Sequence, residues 1–166
     1  MILLFEDEAI IKFHPKLSRI WQRIGERREI PTFDNHGKST LFGSVNPFTG
    51  ELISTYGNSI NQTVFLAHLN EIKQKYLGKN IIMVLDNCKS HFTMKVQKFL
   101  EANNNFFFLF LSPYSPEFNV IERLWQLLRK AVTNNFLFQN LEDVKKAVDE
   151  FFSVLTTEEV KILCRI

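Results

Sequence analysis

The sequence has little of several features that would mark particular protein classes. Its two cysteines, Cys88 and Cys164, cannot build a disulfide framework or a four-ligand zinc site, and reduced thiols in a cytosolic protein are the simplest interpretation. The longest strongly apolar run, residues 106–111, is far too short to span a bilayer. The first eight residues contain three acids and no basic region, unlike a signal peptide. No internal repeat, low-complexity tract or Gly/Ser linker divides the chain, so one domain over residues 1–166 is predicted.

What the sequence does contain is an ordinary globular composition with an uneven distribution of charge. Apolar residues make up 45% and charged residues 23%, which excludes a disordered or collagen-like chain. The formal net charge is only +2, but residues 12–28 hold six basic residues against one acid, Glu26. The six are Lys12, Lys16, Arg19, Arg23, Arg27 and Arg28. Such a segment indicates a polyanionic partner, and the alternative is a solvated basic face.

Hydrophobic periodicity predicts an alternation of strands and helices. The predicted strands cover residues 2–5, 40–45, 52–56, 81–85 and 106–111, and the last of them is expected to be covered on both faces. The predicted helices cover residues 62–76 and 92–100 and continue with three more, begun by Pro116, Asn140 and Thr156 or Thr157. Strands joined by helices become parallel neighbours, whereas the early hairpin adds an antiparallel edge. The predicted fold class is therefore α/β, with a mixed five-stranded sheet and helices on both faces.

Two of the predicted strands end in an aspartate, Asp7 and Asp86. If these strands are parallel neighbours, both side chains emerge at one edge of the sheet, where functional sites form. Neighbouring carboxylates repel each other unless a divalent cation such as Mg²⁺ lies between them. Glu117 and Glu122 are candidates for a third carboxylate. We favour Glu122, because the helix dipole alone accounts for an acid in the first helical turn, where Glu117 is predicted. The alternative is that these acids simply mark where strands reach water.

Four segments, in order along the chain, carry recognisable motifs. Residues 5–8 (FEDE) match Phe-x-Asp-Glu, and residues 45–51 (VNPFTGE) match a hairpin segment. Residues 84–91 (VLDNCKSH) match Leu-Asp-Asn-x-x-x-His, and residues 112–125 (SPYSPEFNVIERLW) match Pro-Pro-Tyr-Ser-Pro-x-Leu-Asn-Pro-Ile-Glu-x-x-Trp. Through these motifs the chain resembles the bacterial insertion-sequence transposases of the IS630 group, relatives of the Tc1/mariner elements. It departs from the last motif at Ser112, Phe118 and Val120, and none of these departures removes a carboxylate.

The resemblance implies a ribonuclease-H-like catalytic domain with an Asp-Asp-Glu (DDE) triad. The triad corresponds to Asp7, Asp86 and Glu122, which would be both catalytic residues and ligands of two Mg²⁺ or Mn²⁺ ions. Between Asp86 and Glu122 lie 35 residues, close to the spacing of the group. The implied activity is metal-dependent cleavage of transposon-end DNA and strand transfer into target DNA, usually at a TA dinucleotide. Full-length relatives carry an amino-terminal helix-turn-helix region, which we expect to be absent from this chain.

The candidate DNA-binding residues are basic or belong to these motifs, and they are Lys12, Lys16, Arg19, Arg23, Lys89, His91 and Arg123. Each has a structural alternative: capping or packing for His91, a surface salt bridge for Arg123, a solvated face for the basic segment. Cys88 and Trp125 are interpreted as packing residues. The expected partners are transposon-end and target DNA, together with a second copy of the chain or an intact transposase. The expected location is the cytoplasm, at the nucleoid.

Two other functions are compatible with the same residues. A nuclease of the same fold would cut nucleic acid without joining strands. An inactive remnant or regulatory fragment would dimerise or compete with an intact transposase. Three intact acids favour an enzyme, whereas the expected absence of the amino-terminal region favours a remnant.

Overall fold

Five strands form one mixed sheet, in the order β3-β2-β1-β4-β5, in a computed structural model that describes residues 1–13, 15, 18–19, 21, 23–25, 29–30, 37–113 and 115–166. The strands are β1 (Ile2–Lys12), β2 (Lys38–Val45), β3 (Leu52–Gly57), β4 (Ile81–Leu85) and β5 (Phe106–Phe110). The central strand β1 pairs antiparallel with β2 and parallel with β4. The predicted mixed sheet, with an antiparallel hairpin at one edge, is confirmed.

Helices cover both faces of this sheet, as predicted. They are α1 (Gln62–Lys75), α2 (Met94–Ala102), α3 (Ile121–Leu128), α4 (Leu141–Val154) and α5 (Thr157–Leu163). One apolar core joins the sheet to α1 and α2, and a second joins its other face to α3, α4 and α5. Asn140 caps α4 and Thr156 caps α5, as predicted, each by accepting a backbone N–H from the first turn. Among the described residues, no helix has the length and apolar character to cross a membrane.

Strand β1 is much longer than predicted, which changes the setting of Asp7. The prediction ended the strand after residue 5, whereas it continues to Lys12. Only residues 2–5 pair with β4, while residues 5–12 pair with β2, so the hairpin supplies backbone partners throughout the acidic segment. Asp7 is therefore not at a strand end. It lies inside β1, just beyond the point where β4 stops at Leu85.

Strand β5 is one of the two edge strands of the sheet, and the expectation that it is covered on both faces is wrong. Phe108 and Phe110 face the core of α1 and α2. Phe107 and Leu109 point the other way and are 52% and 57% exposed. A continuous apolar run indicates a buried strand but does not encode which neighbours cover it, and the described part of α3, α4 and α5 leaves this face open.

The helix predicted to begin at Pro116 is divided in two. A 3₁₀ turn covers Pro116–Phe118, and α3 begins only at Ile121. Between them, the buried Asn119 donates a hydrogen bond from Nδ2 to the carbonyl oxygen of Glu6, at 2.8 Å. This bond holds the segment around Asn119 against β1, and α3 therefore begins only after this residue. Glu122 consequently lies in the first turn of α3, whereas the prediction placed it one turn further into the helix.

Close packing of α3 on the sheet sets the position of Glu122. Gly43 on β2 is the register partner of Asp7, and the fully buried ring of Trp125 lies over it. A Cβ atom at Gly43 would come within 2.4 and 2.5 Å of Cη2 and Cζ2 of Trp125, closer than real Cβ contacts. Glycine thus allows α3 to approach the strand that carries Asp7.

We expect Gly43→Ala to lower the free energy of unfolding by about 1–3 kcal/mol, because the added methyl group overpacks the contact with Trp125. Since Trp125 and Glu122 share α3, the variant should also bind Mn²⁺ more weakly. Urea unfolding and calorimetric titration measure the two effects. Ser54→Ala, at the paired position on β3, is the matched control and should change neither. Unchanged stability in Gly43→Ala would show that this contact does not set the approach of α3.

Candidate metal centre

Asp7, Asp86 and Glu122 reach one cleft of about 520 Å³ from three different elements. Asp7 comes from β1, Asp86 directly follows β4, and Glu122 comes from the first turn of α3. The rest of the lining belongs largely to the same sequence motifs, including Asn87, Ser112 and Asn119. Three acids far apart in the chain are thus brought together, and we call this group the metal centre.

The electrostatics of Asp7 indicate a surplus of negative charge at the metal centre. Burial, followed by repulsion from Glu122, Glu8 and Asp86, raises the pKa of Asp7 to about 8. Without a cation Asp7 therefore retains a proton at neutral pH. A divalent ion would offset this repulsion, and a donor set made only of carboxylate oxygens fits Mg²⁺ or Mn²⁺. The residues present fit the ions that the sequence predicts.

Amide groups fix the segments that carry the acids. The backbone N–H of Cys88 donates to Oδ1 of Asp86 at 2.8 Å. Asn87 donates from Nδ2 to the carbonyl oxygen of Leu111 at 2.7 Å, which ties the end of β4 to the end of β5. Asn119, which sequence reasoning missed, connects the loop before Glu122 to β1. Its place inside the segment SPYSPEFNVIERLW was an available signal.

Arg129 is a second residue that sequence reasoning missed. Its Nη2 lies 3.2 Å from Oε2 of Glu122, and both side chains are about one third exposed. It follows Glu122 by seven residues, two helical turns, and this spacing was the available signal. The ion pair offsets part of the charge at the metal centre and holds Glu122 in position.

Glu6 and Glu8 flank Asp7 in sequence but face the other side of the sheet, because side chains alternate along a strand. There they meet His91, which lies in the 3₁₀ turn Lys89–Phe92. His91 Nε2 lies 3.5 Å from Oε2 of Glu6 and 3.6 Å from Oε1 of Glu8. Burial, with added repulsion from Glu8 and then Asp7, raises the pKa of Glu6 well above its ordinary value.

The predicted contact between His91 and DNA is wrong. The His91 side chain is 0% exposed, and its ring packs on Phe65 of α1 with the ring centroids 4.5 Å apart. The packing alternative is the one observed. Trp125 is likewise buried, in agreement with its interpretation as a core residue.

Of the other candidate DNA-binding residues, all but one lie among the described residues. Lys12, Arg19, Arg23 and Lys89 are exposed, and Lys16 lies outside the described residues. Arg123 is exposed, but its Nη1 donates to the carbonyl oxygens of Leu163 and Arg165 at 3.3 and 2.7 Å. It therefore ties α3 to the C-terminal segment, which is neither the predicted phosphate contact nor the alternative salt bridge.

Comparison with known proteins identifies the family. The family model described as DDE superfamily endonuclease matches residues 2–145. The chain belongs to this family, and we refer to it below as the DDE chain. The insertion element IS630 uncharacterized 39 kDa protein of Shigella sonnei is 30% identical to the DDE chain over 155 residues, which cover 93% of the chain and 45% of that protein. The uncharacterized protein y4pE/y4sA of Sinorhizobium fredii is 30% identical over 105 residues, 63% of the chain and 75% of that protein.

Solved structures of a mariner transposase have the same fold. The mariner Mos1 paired-end complex with Mg matches with a TM-score of 0.76 at 21% identity, over 98% of this chain and 51% of that chain. The catalytic domain of Mos1 mariner transposase matches with a TM-score of 0.69 at 20% identity, over 98% and 74%. The predicted ribonuclease-H-like α/β fold is confirmed. The DDE chain spans about half the length of the IS630 protein and of the Mos1 chain in that complex.

We expect the metal-free DDE chain to lose stability as the pH rises from about 4 to about 8. The pKa of Asp7 is about 8 when folded and 3.8 as an ordinary carboxyl, so over this range the folded state retains a proton that the unfolded state releases. Asp7 then contributes a loss of up to about 1.4 kcal/mol per pH unit to the free energy of unfolding. Urea unfolding in EDTA across this pH range measures the slope.

Asp7→Asn should flatten this slope and raise the stability of the metal-free protein at pH 8. It should also remove the stabilisation that Mn²⁺ gives the parent chain. Glu117→Gln, which changes an exposed acid of the neighbouring 3₁₀ turn, is the control and should behave like the parent. A slope in Asp7→Asn equal to that of the parent would contradict the assignment.

Proposed function

We propose that the DDE chain catalyses divalent-metal-dependent cleavage and strand transfer of transposon-end DNA. Asp7, Asp86 and Glu122 are the catalytic residues and the metal ligands. The observation that carries the proposal is the convergence of these acids on one cleft, where burial and repulsion raise the pKa of Asp7. The family membership and the fold support the same chemistry.

The chain's contribution to this chemistry is mainly positioning. When bound, two Mg²⁺ or Mn²⁺ ions activate the attacking oxygen and stabilise the leaving oxygen in an in-line displacement at phosphorus. Asp7 is held inside the central strand, and Asp86 is held by the N–H of Cys88. In the first step water attacks the phosphorus and the 3′-oxygen of the transposon end leaves. In the second step that 3′-hydroxyl attacks a target phosphorus, and a target 3′-oxygen leaves.

We expect Glu122→Gln to slow Mn²⁺-dependent nicking of supercoiled plasmid by roughly 100-fold or more, because one charged ligand of the metal centre is lost. The matched control is Glu117→Gln, since Glu117 is exposed, close in sequence, and not among the cleft residues. It should nick at the parental rate. Parental activity in Glu122→Gln, or equal losses in both variants, would contradict the proposed roles.

A strand-transfer assay distinguishes the proposed transposase from a nuclease of the same fold and from an inactive remnant. A pre-cut duplex end is incubated with target plasmid and Mn²⁺, and joined products are quantified. Joining supports a transposase, and nicking without joining supports a nuclease of the same fold. Neither activity, together with no calorimetric difference in Mn²⁺ binding between the parent and Asp86→Ala, supports an inactive remnant. Assembly with a second copy or with an intact transposase stays a prediction.

Five basic residues are the proposed DNA contacts. We propose that Lys12, Lys16, Arg19, Arg23 and Lys89 contact phosphates without reading bases. Lys12 ends β1, the strand of Asp7, and Lys89 follows Asp86 by three residues. Exposed cations at these positions would meet the backbone of a duplex whose scissile phosphate lies in the cleft.

Reversing two of these charges should flatten the salt dependence of DNA binding. For Arg19→Glu/Arg23→Glu we expect the slope of log K against log salt to fall by roughly 0.9 per lost phosphate contact. Lys95→Glu/Lys98→Glu changes the net charge equally on α2, on the opposite face of the sheet from α3, and serves as control. Fluorescence anisotropy with a labelled duplex measures both slopes. Equal slopes in the two double variants would refute the contact.

A further inference from the structure

The group of side chains on the other face of β1 differs in chemistry from the metal centre. It comprises Glu6, Glu8, Cys88 and His91, which we call the His91 cluster. One ligand atom from each of Glu8, Cys88, His91 and the neighbouring Asp86 lies within 4.8 Å of the others. The cluster therefore combines nitrogen, sulfur and oxygen donors, whereas the metal centre offers carboxylate oxygens alone.

Hydrogen bonding orients His91 so that Nε2 faces carboxylates. Nδ1 lies 3.2 Å from the carbonyl oxygen of Asp86, which can only accept, so Nδ1 carries the proton. With this proton on Nδ1, Nε2 offers its lone pair toward the oxygens of Glu6 and Glu8. Lone pairs that face each other repel unless a proton or a metal cation lies between them. A ring nitrogen held in this way by its other N–H is the usual arrangement of a metal-ligating histidine.

The distances in the cluster are those of metal ligands and not of hydrogen bonds. The separations of 3.5 and 3.6 Å between Nε2 and the two carboxylates exceed the range of roughly 2.7–3.2 Å for an N–H···O bond. Two donors that each lie roughly 2.1 Å from a tetrahedral ion are about 3.4 Å apart. The observed spacing is close to that value.

Buried polar atoms in the cluster have no other partner. Both carboxylate oxygens of Glu6, Oε1 of Glu8 and Nε2 of His91 are buried without a hydrogen-bond partner among the described residues. The three side chains are 0%, 4% and 0% exposed. Buried polar groups are normally satisfied, so four such atoms at one place indicate a missing ligand. Two buried carboxylates match the charge of one divalent ion.

The cluster borders the open cleft. Cys88 and Asp86 line the cleft of the metal centre, and the Asp86 side chain is 49% exposed. An ion could therefore enter past these two residues and reach Glu8 and His91 behind them.

We propose that Glu8, Cys88 and His91 bind a transition-metal ion of the Zn²⁺ class, with Asp86 as a neighbour of the site and Glu6 balancing the charge. Mixed nitrogen, sulfur and oxygen donors favour such ions over Mg²⁺. The cysteine count argued against a four-ligand zinc site in the sequence, but this site needs only one thiolate. The inference does not depend on the proposed DNA chemistry.

Co²⁺ is the probe, because it occupies Zn²⁺ sites and a thiolate ligand gives it an intense near-ultraviolet charge-transfer absorption. We expect one equivalent of Co²⁺ to produce this absorption in the parent chain. Zn²⁺ should displace Co²⁺ and abolish the absorption, whereas excess Mg²⁺ should leave it unchanged. Absence of the absorption in the parent, or its loss with Mg²⁺, would overturn the proposal.

Variants identify the ligands. Cys88→Ser should remove the charge-transfer absorption, and His91→Gln should weaken Co²⁺ binding on the order of tenfold or more. Cys164→Ser removes the other thiol, on the far side of the sheet, and should retain the absorption. Glu122→Gln should retain it too, so this site and the metal centre can fail separately.

Persistence of the absorption in Cys88→Ser would overturn the assignment. Cooperative urea unfolding in EDTA checks that each variant folds. If His91→Gln does not fold, the comparison of Cys88→Ser with Cys164→Ser decides alone, because Cys88 is only partly buried and serine is of nearly the same size.

Discussion

The placement of three consecutive acidic residues inside the central strand is the constraint on which this structure depends. Glu6, Asp7 and Glu8 lie within β1, where β2 pairs with each of them. Alternation along the strand sends Asp7 to the face of α3 and the two glutamates to the face of α1. Buried carboxylates without partners are costly, so each face of the sheet must supply its own compensation. Without metal ions this compensation is incomplete, and the pKa values of Asp7 and Glu6 are therefore raised.

Packing contacts and hydrogen bonds hold together the segments that carry these acids, against the repulsion between the acids. Gly43 admits Trp125 to the sheet surface, which fixes the approach of α3, and the amide of Asn119 ties the preceding loop to β1. A net contribution of about 1 kcal/mol for such a hydrogen bond is small beside the repulsion of several carboxylates. The acids stay together because many such contacts act at once. Acids that already lie close together would need little rearrangement to bind metal ions.

The motifs selected three acids that line one cleft, whereas the periodicity missed features of the elements that carry them. Asp7, Asp86 and Glu122 lie in this cleft as expected, and their catalytic and metal-binding roles stay a prediction. The length of β1 was missed because acids normally end strands, and only the hairpin partner keeps this one going. The division at Asn119 depends on a hydrogen bond to a residue more than a hundred positions away, which no local pattern contains.

His91 shows a different limit of sequence reasoning. Its motif indicated that the residue matters but not which way it faces, and the nearby basic residues suggested DNA. The side chain is instead enclosed between Phe65 and the glutamates of β1. Orientation of this kind follows from the packing of α1 on the sheet, which is a tertiary property. The exposed face of β5 was mispredicted for the same reason, since apolar runs do not specify their neighbours.

Asp86 connects the two faces of β1, because it leaves the sheet at the end of β4 and not inside a strand. Its carboxylate lines the cleft with Asp7 and Glu122, and one of its oxygens also lies within 4.8 Å of a ligand atom of each of Glu8, Cys88 and His91. By donor chemistry, the proposed oxygen-only site would favour Mg²⁺ or Mn²⁺, and the proposed site with nitrogen and sulfur would favour a Zn²⁺-class ion. Asp86 belongs to both groups of side chains, so the two proposed sites share a neighbour and differ in the donors that surround it.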